Sequence, residues 1–268
     1  MLPARFPGLT MVKWHRYRPL EPLMAHPRPV ALVTGAARRL GAAIAHRLHT
    51  AGYDLALHYR HSATDMQALV AALDAERPGS VLSLQADLTE FDRLPELVAH
   101  TVGRYGRLDA LVNNASSYFA TPIGRATPAQ WDDLFATNAR APLFLSQAAA
   151  PHLKASRGAI VSLADIYAER PLRDHTVYCM AKAALVMMTK SLAVELGPEV
   201  RVNAIAPGNM LWSDNPVKAE TLQVVEARTA LRRQGTPEDI AQAVETCLVS
   251  PYLTGQIIAM DGGRSLFI

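Results

Sequence analysis

The feature that most constrains the fold is a regular alternation of short apolar runs with longer helical segments. Strands are predicted at seven places, namely 29–33, 54–59, 81–85, 108–112, 159–163, 200–206 and 257–260. Helices are predicted at 42–51, 63–77, 90–104, 128–137 and 139–155, and two more begin near 178 and 237. Because strands that alternate with helices form parallel sheets, we expect an α/β fold, with one doubly wound domain, a seven-stranded parallel sheet and helices on both faces.

Composition sets the expected domain boundaries. The chain has 268 residues, is 50% hydrophobic and shows no break in its middle, so residues 29–268 are predicted to form one domain. Residues 1–28 hold five prolines and a net charge of +4, and we interpret them as a disordered basic leader or, since Met24 precedes the first strand, as a misassigned start. Residues 209–236 look like a long irregular stretch, which we expect to form a substrate lid.

Charge and cysteine content exclude several classes of function. Outside the leader, 22 basic residues face 23 acidic ones, which leaves no basic stripe for nucleic acid. No apolar run approaches the roughly 18 residues that span a bilayer. Two cysteines, Cys179 and Cys247, provide neither a disulfide framework nor a metal cluster. We therefore expect a soluble, cytoplasmic protein without metal, membrane or nucleic-acid partners.

The first predicted strand runs into a glycine turn that opens a helix. Thr34 and Gly35 end the strand, and Gly41 precedes an Ala-rich helical run. Backbone N–H groups of such a turn, together with the positive end of the helix, favour a dinucleotide pyrophosphate. The placement between strand and helix therefore predicts a dinucleotide site.

The residues after the second strand distinguish two cofactors. An NAD site needs a carboxylate there to accept from the ribose 2′-hydroxyl, whereas an NADP site needs cations for the 2′-phosphate. The chain has Arg60, His61 and Ser62 at this place, and Arg38 is available from the first turn. We therefore expect NADPH, with the alternative that Arg60 and His61 form only a solvated loop.

Tyr178 and Lys182 lie four residues apart at the start of a long apolar helix, so they share one face. An ammonium beside a phenol stabilises the phenolate, so the pair predicts a lowered pKa for Tyr178. The alternative is a surface Tyr and Lys one turn apart. Position favours the first interpretation, because Asp87 and Asn114 also follow strands whose carboxyl ends line one edge of the sheet.

Taken in order, the motifs resemble the short-chain dehydrogenase/reductase family over residues 29–263. They are Thr34-Gly35 through Gly41, Asn113-Asn114-Ala115, Asn138, Tyr178-x-x-x-Lys182, Pro207-Gly208 and Asp261-Gly262-Gly263. The resemblance implies a single Rossmann-like domain, a nicotinamide cofactor and a homotetramer. It also implies that Tyr178 donates a proton, that Lys182 lowers its pKa and holds the nicotinamide ribose, and that Asn138 positions a relay water.

Two departures from the family pattern are informative. Asp165 stands thirteen residues before Tyr178, where the family commonly has a serine that holds a substrate carbonyl. An ionised carboxylate cannot donate a hydrogen bond and repels a developing alkoxide, but it suits a substrate rich in N–H donors. It also opposes ionisation of Tyr178. Arg39 replaces the middle glycine of the first turn and places a guanidinium between pyrophosphate and substrate.

These departures, with the segments His58-Tyr59-Arg60-His61-Ser62 and Asn114-Ala115-Ser116-Ser117-Tyr118, resemble the pteridine reductases. That resemblance implies catalysis by Asp165, Tyr178 and Lys182 with Asn138. It implies substrate contacts from Arg39, Ser116, Tyr118, Asp165 and Tyr178, and Met210, Leu211 and Trp212 are candidate walls. Implied cofactor contacts are Gly35, Arg38, Arg39, Leu40, Gly41, His58, Arg60, His61, Ser62, Asp87, Leu88, Asn114, Ala115, Ser116, Tyr178, Lys182, Pro207 and Gly208.

The sequence therefore predicts an NADPH-dependent pteridine reductase that converts dihydropterins (dihydrobiopterin, dihydromonapterin or dihydrofolate) to their tetrahydro forms. Two other functions remain open. One is an ordinary carbonyl-reducing member of the same family, which Asp165 disfavours. The other is a non-catalytic nucleotide-binding scaffold, which the presence of both Tyr178 and Lys182 disfavours.

Overall fold

A computed structural model describes residues 28–210 and 219–267. Within these ranges seven strands are present: β1 Val30–Val33, β2 Asp54–Tyr59, β3 Val81–Gln85, β4 Ala110–Asn113, β5 Ala159–Leu163, β6 Arg201–Pro207 and β7 Ile257–Met260. The α-helices are α1 Arg39–Thr50, α2 Ala63–Glu76, α3 Leu94–Tyr105, α4 Pro128–Phe135, α5 Ala141–Ser156, α6 Thr176–Leu196, α7 Ala219–Ala227 and α8 Pro237–Val249. All seven predicted strands are confirmed, with shifts of one or two residues at some ends.

The strands form one parallel sheet in the order β3-β2-β1-β4-β5-β6-β7. The order reverses between β1 and β4, where Val33 pairs with Val112. Ligands of open parallel sheets bind at such a reversal, outside the carboxyl ends of the strands. The predicted doubly wound α/β fold is therefore confirmed, and it identifies the edge at which a site is expected.

Both faces of the sheet are covered, which explains why the strands are continuously apolar. Ala31 and Val33 of β1 face a core that includes residues of α1, α2 and α8. The alternate residues Val30 and Leu32 face a second core that includes residues of α3, α5 and α6. Because helices exclude water from both faces, polar groups of the sheet can meet a ligand only at its edges.

The link between α4 and α5 is a π-helical turn, Ala136–Arg140. The sequence predicts two helices with Asn138 between them, and the structure confirms that arrangement. A capping box fixes the start of α4, because the Thr127 hydroxyl accepts from the Gln130 N–H while the Gln130 side chain accepts from the Thr127 N–H. The wider turn is a common feature at functional sites, and here it introduces Asn138 beneath the sheet edge.

Two predicted segments lie partly or wholly outside the described residues. The leader is described only at Arg28, which pairs with Asp54 at 3.0 Å. In the predicted irregular stretch 209–236, residues 211–218, including Trp212, lie outside the description. The stretch is not irregular throughout, however, because Ala219–Ala227 form α7. A substrate lid remains a prediction.

Helix α6 is long and apolar enough, by length and a hydropathy of 1.4, to cross a membrane. The expectation that no apolar run approaches that length is therefore wrong. Nine of its residues are buried, among them Tyr178 and Lys182, and it packs along β6 and the π-helical turn. These contacts are those of a core helix, whose apolar residues face protein on several sides.

Thr34 joins the two strands at the reversal point. Its hydroxyl accepts from the backbone N–H groups of Asn114 at 3.0 Å and Ala115 at 3.1 Å, and it donates to the Val112 carbonyl at 3.4 Å. The Asn114 amide in turn donates to the carbonyls of Thr34 and Gly35 at 2.8 and 2.9 Å. These bonds hold the ends of β1 and β4 in register where the glycine turn begins.

We predict that Thr34→Val lowers the free energy of unfolding by about 2 kcal/mol, because it removes the acceptor of backbone N–H groups at a buried site. Thr34→Ser keeps the hydroxyl and should retain most of the stability. Urea unfolding of both variants measures the difference. Equal stability of the valine and serine variants would contradict the role assigned to this hydroxyl.

Candidate active site

One cavity of about 640 Å³ opens at the carboxyl edge of the sheet, above the β1/β4 reversal. With three exceptions, every predicted site residue lines it. The exceptions are Asn138, which is not among the lining residues, and Leu211 and Trp212, which are outside the described residues. The lining residues that the sequence predicted are Gly35, Arg38, Arg39, Leu40, Gly41, His58, Arg60, His61, Ser62, Asp87, Leu88, Asn114, Ala115, Ser116, Tyr118, Asp165, Tyr178, Lys182, Pro207, Gly208 and Met210.

The glycine turn has the close backbone approach that the sequence predicts. Gly35 has a φ of +62°, and a Cβ there would lie 2.9 Å from the Ala115 Cα. A Cβ on Gly41 would lie 2.2 Å from the Gly35 carbonyl oxygen and 2.8 Å from the Asn114 amide nitrogen. Glycine at both positions therefore lets the turn fold tightly between β1 and β4.

The start of α1 faces the cavity. Its N-cap residue, Arg38, makes no side-chain capping bond, and no acidic residue occupies the first turn. Arg39 has a φ of +53°, a left-handed conformation that costs a side-chain-bearing residue about 1–2 kcal/mol. Arginine thus stands in a backbone conformation suited to glycine. Together with the glycine turn, this helix start fits the pyrophosphate of a nicotinamide dinucleotide.

His58 supports the turn from below through both of its ring nitrogens. Nδ1 accepts from the Gly35 N–H at 3.2 Å, and Nε2 lies 3.1 Å from the Ala86 carbonyl, to which it donates. Burial lowers the pKa of His58 to about 4, so the ring is neutral and can play both roles. The polar atoms of His58 are therefore committed to the backbone, and its predicted cofactor contact is limited to the edge of the ring.

At the far end of the cavity, Arg60 and Asp87 form an ion pair of 2.7 Å. The other oxygen of Asp87 accepts from the N–H and the hydroxyl of Thr89, at 2.9 and 2.8 Å. Bonds with Thr89 and the charge of Arg60 lower the pKa of Asp87, against a desolvation effect that is the largest single influence. Arg38 lies nearby, 3.7 Å from Asp65, with half of its side chain exposed.

The opposite end holds Asp165, Tyr178 and Lys182. The Tyr178 hydroxyl donates to Asp165 Oδ2 at 2.7 Å, and the Tyr167 N–H donates to Asp165 Oδ1 at 2.9 Å. Lys182 Nζ donates to the Leu163 carbonyl at 2.7 Å and lies 5.7 Å from the centre of the Tyr178 ring. Asp165 is the N-cap of a short 3₁₀ helix, Ile166–Ala168, that follows β5, and the carboxylate oxygen not used by that cap faces the phenol.

Burial governs the protonation of these three groups. Desolvation, followed by the charge of Asp165 and its hydrogen bond, raises the pKa of Tyr178 far above its ordinary value. Desolvation also raises the pKa of Asp165 and lowers that of Lys182 to about 8, although the two opposite charges counter both shifts. The expectation that Lys182 lowers the pKa of Tyr178 is therefore wrong for this arrangement. The expected opposition of Asp165 to ionisation of Tyr178 is confirmed.

Asn138 is buried, and its side chain makes three hydrogen bonds with protein groups. Its amide donates to the carbonyls of Ser117 at 2.9 Å and Leu134 at 3.0 Å, and its oxygen accepts from the Ser116 hydroxyl at 2.7 Å. The side chain therefore secures the loop that carries Ser116, and both of its N–H groups are already donated to backbone carbonyls.

Tyr118 is 57% exposed at the cavity and forms part of an aromatic group. Its ring stacks on His175 with centroids 4.9 Å apart and an angle of 17°. It meets the Tyr178 ring edge-on, also at 4.9 Å. A partly exposed, supported aromatic face next to the phenol is suited to a planar ring.

Several lining residues were not predicted from the sequence. They are Ala37, Tyr59, Ser117, Thr137, Leu163, Ala164, Tyr167 and Asn209. Tyr167 could have been found, because it lies two residues after Asp165 on the same loop. Thr137 could not, since it reaches the cavity through the π-helical turn. Among the described residues no cluster of His, Cys, Asp or Glu could hold a metal ion.

Comparison with known proteins agrees with this geometry. Residues 35–265 match the short-chain dehydrogenase/reductase profile described as enoyl-(acyl carrier protein) reductase. Pteridine reductase 1 of Leishmania tarentolae is 37% identical over 281 residues, covering 89% of this chain and 96% of that protein.

Two further relatives have other names. Ketoacyl reductase 2 of the granaticin polyketide synthase of Streptomyces violaceoruber, so named provisionally, is 36% identical over 89% of this chain and 96% of its own. The 3-oxoacyl-(acyl-carrier-protein) reductase of Staphylococcus aureus is 33% identical over 87% of this chain and 96% of its own. The profile match and these relatives, together with the cavity described above, show that the chain belongs to the short-chain dehydrogenase/reductase family, whose members are oxidoreductases that use a nicotinamide cofactor.

Proposed function

We propose that this chain is an NADPH-dependent pteridine reductase that reduces a C=N bond of dihydropterins, such as dihydrobiopterin, dihydromonapterin or dihydrofolate, to give tetrahydropterins. The observation that supports it most directly is the 2.7 Å hydrogen bond from Tyr178 to Asp165 inside the cavity. The likeness to a pteridine reductase at 37% identity supports the same assignment.

Asp165 favours a nitrogen heterocycle over a ketone. An ionised carboxylate accepts hydrogen bonds but cannot donate them, so it suits the amino and ring N–H groups of a pterin. An alkoxide that develops beside it would be repelled, which disfavours ordinary alcohol formation. Asp165 and burial also keep Tyr178 protonated, so a proton is available for a ring nitrogen.

Different parts of the cavity are assigned to different parts of the cofactor and the substrate. Arg38, Arg60, His61 and Ser62 are assigned to the 2′-phosphate, the glycine turn to the pyrophosphate, and Lys182 to the nicotinamide ribose. When bound, a reduced nicotinamide supplies the hydride. Tyr118 is assigned to the exposed face of the pterin ring. Holding that ring in reacting geometry can lower the activation barrier by several kcal/mol.

Assembly into a homotetramer is part of the proposal. Exposed apolar side chains on α5 and α6, namely Leu143, Met180, Met187 and Val194, leave an apolar surface on these two helices. The exposure of Met180 and Met187 on the long helix supports that assignment. Met188, by contrast, packs partly against the core.

A carbonyl reductase is the second candidate, because relatives named as ketoacyl and oxoacyl reductases are 36% and 33% identical. NADPH consumption against dihydropterins, folates and simple ketones separates the two, with an antifolate as competitor. Turnover of dihydropterins that the antifolate blocks supports the proposal. Turnover of ketones alone would overturn it.

We predict that Asp165→Ser lowers kcat on dihydropterins by about 100-fold or more, the range expected for loss of acid–base catalysis, and leaves the Kd for NADPH unchanged. Asp165→Asn keeps the size of the side chain and should lose a similar factor. Steady-state kinetics and fluorescence titration measure both effects. Unchanged dihydropterin turnover in the serine variant would contradict the role of Asp165.

A second prediction concerns cofactor choice. Arg60→Ala should raise the KM for NADPH by about 10- to 100-fold, the value of one or two charge-assisted hydrogen bonds, with little effect on the KM for NADH. Arg104→Ala, on the surface of α3, is the matched control. If Arg60→Ala changes the two KM values equally, Arg60 does not read the 2′-phosphate.

The lowered pKa of Lys182 predicts the alkaline limit of activity. The charged form of Lys182 is the one assigned to catalysis, so kcat/KM should fall as pH rises through about 8 rather than through the ordinary 10.5. Above that pH, kcat/KM should fall by close to tenfold for each further pH unit. In Lys182→Arg, whose charge persists above pH ~12, the remaining activity should lack this fall. A wild-type profile that stays flat to pH ~10 would refute the assignment.

A further inference from the structure

A second, smaller cavity of about 100 Å³ lies behind Asp165. Among the residues that the structure describes, Asp165 is the one that lines both this cavity and the main cavity. The second cavity is therefore separated from the substrate side by the residue that accepts the Tyr178 hydrogen bond. A water occupies about 30 Å³ in the liquid, so there is room for about three.

The walls of this cavity change from apolar to charged. Val186 and Ala206 are buried and apolar, whereas Glu169 and Arg170 are exposed. Exposed charged residues and the partly buried Asp165 thus line one continuous space. Such a space connects solvent with Asp165 without passing through the substrate site.

Reduction of a C=N bond consumes one proton that must come from solvent. If Tyr178 gave up its proton while Asp165 stayed ionised, a phenolate and a carboxylate would face each other at the 2.7 Å of their hydrogen bond. Two like charges at that distance in a buried site strongly disfavour each other. Asp165 must therefore be able to take up a proton and pass it on.

The main cavity is a poor source of that proton during reaction, because cofactor and substrate fill it. The Asn138 amide has no N–H group left to donate to a relay, since both already donate to the carbonyls of Ser117 and Leu134. The raised pKa of Asp165, caused by burial, lets the carboxyl group hold a proton closer to neutral pH.

We propose that the second cavity is the route by which water reloads Asp165 with protons. Water there protonates the carboxylate, the Asp165 O–H protonates the Tyr178 phenolate, and the Tyr178 O–H protonates the substrate nitrogen. One proton passes from solvent to substrate, and both side chains return to their initial states. The route rests on the proposed function only in that Tyr178 is the proton donor, which holds for a dihydropterin or a ketone.

The test narrows this cavity without touching the catalytic groups. Ala259 lines its rim on β7 and is exposed, so Ala259→Leu adds bulk there at little cost to packing. Ala99→Leu, at an exposed position on α3, is the matched control. We expect Ala259→Leu to lower kcat about tenfold and to raise the H₂O/D₂O isotope effect on kcat, with the Kd for NADPH and the Tm unchanged.

A second variant tests the same route in case Ala259→Leu disturbs folding. Glu169→Gln keeps the shape of the rim but removes a proton-relaying carboxylate, and it should raise the isotope effect without lowering the Tm. Glu195→Gln, also exposed, is its control. If wild-type kcat and isotope effect persist in both Ala259→Leu and Glu169→Gln, the route is wrong. All variants are assayed with the substrate that the wild-type enzyme reduces, either the dihydropterin or the ketone. The substrate preference of the wild type therefore tests the pterin assignment, and the variants test the proton route.

Discussion

A parallel sheet covered by helices on both faces leaves only its edges for polar chemistry, and this constraint shapes the whole molecule. The side chains of β1 alternate between two apolar cores, so water is excluded along its length. At the carboxyl edge, Thr34 and Asn114 tie the ends of β1 and β4 together. Those bonds hold the reversal point in place where the glycine turn and the start of α1 form.

The same exclusion of water gives the catalytic end its character. Asp165, Tyr178 and Lys182 are all largely buried, and desolvation is the main influence on each pKa. In such surroundings a neutral phenol beside a carboxylate is favoured over a phenolate beside an ammonium. The pair is therefore arranged to deliver a proton to a basic atom, and less suited to stabilise a negative oxygen. A buried acid also needs its own supply of protons, and a second cavity that reaches Asp165 offers one.

Overall similarity does not discriminate among substrates in this family. Relatives named as a pteridine reductase, a ketoacyl reductase and an oxoacyl reductase are 37%, 36% and 33% identical to this chain. The scaffold, the glycine turn and the Tyr–Lys pair are compatible with all three activities. The discriminating features are local, namely a carboxylate where a hydroxyl is common and an arginine in a glycine-like conformation. The pterin assignment rests on those features.

The sequence by itself determined the fold class, the succession of strands and helices along the chain and most residues of the cavity wall, because burial on both faces imposes periodic apolar runs and leaves turn residues at strand ends. Only the tertiary structure decided what those residues bond to. The bonds of Asn138 with Ser116, of His58 with Gly35 and of Arg60 with Asp87 join residues more than twenty positions apart. Helix α7 and the stacking of His175 on Tyr118 likewise appear only in the folded chain. Local pattern reports which face of an element is buried, whereas hydrogen-bond partners and pKa shifts depend on distances that the packing of distant segments sets.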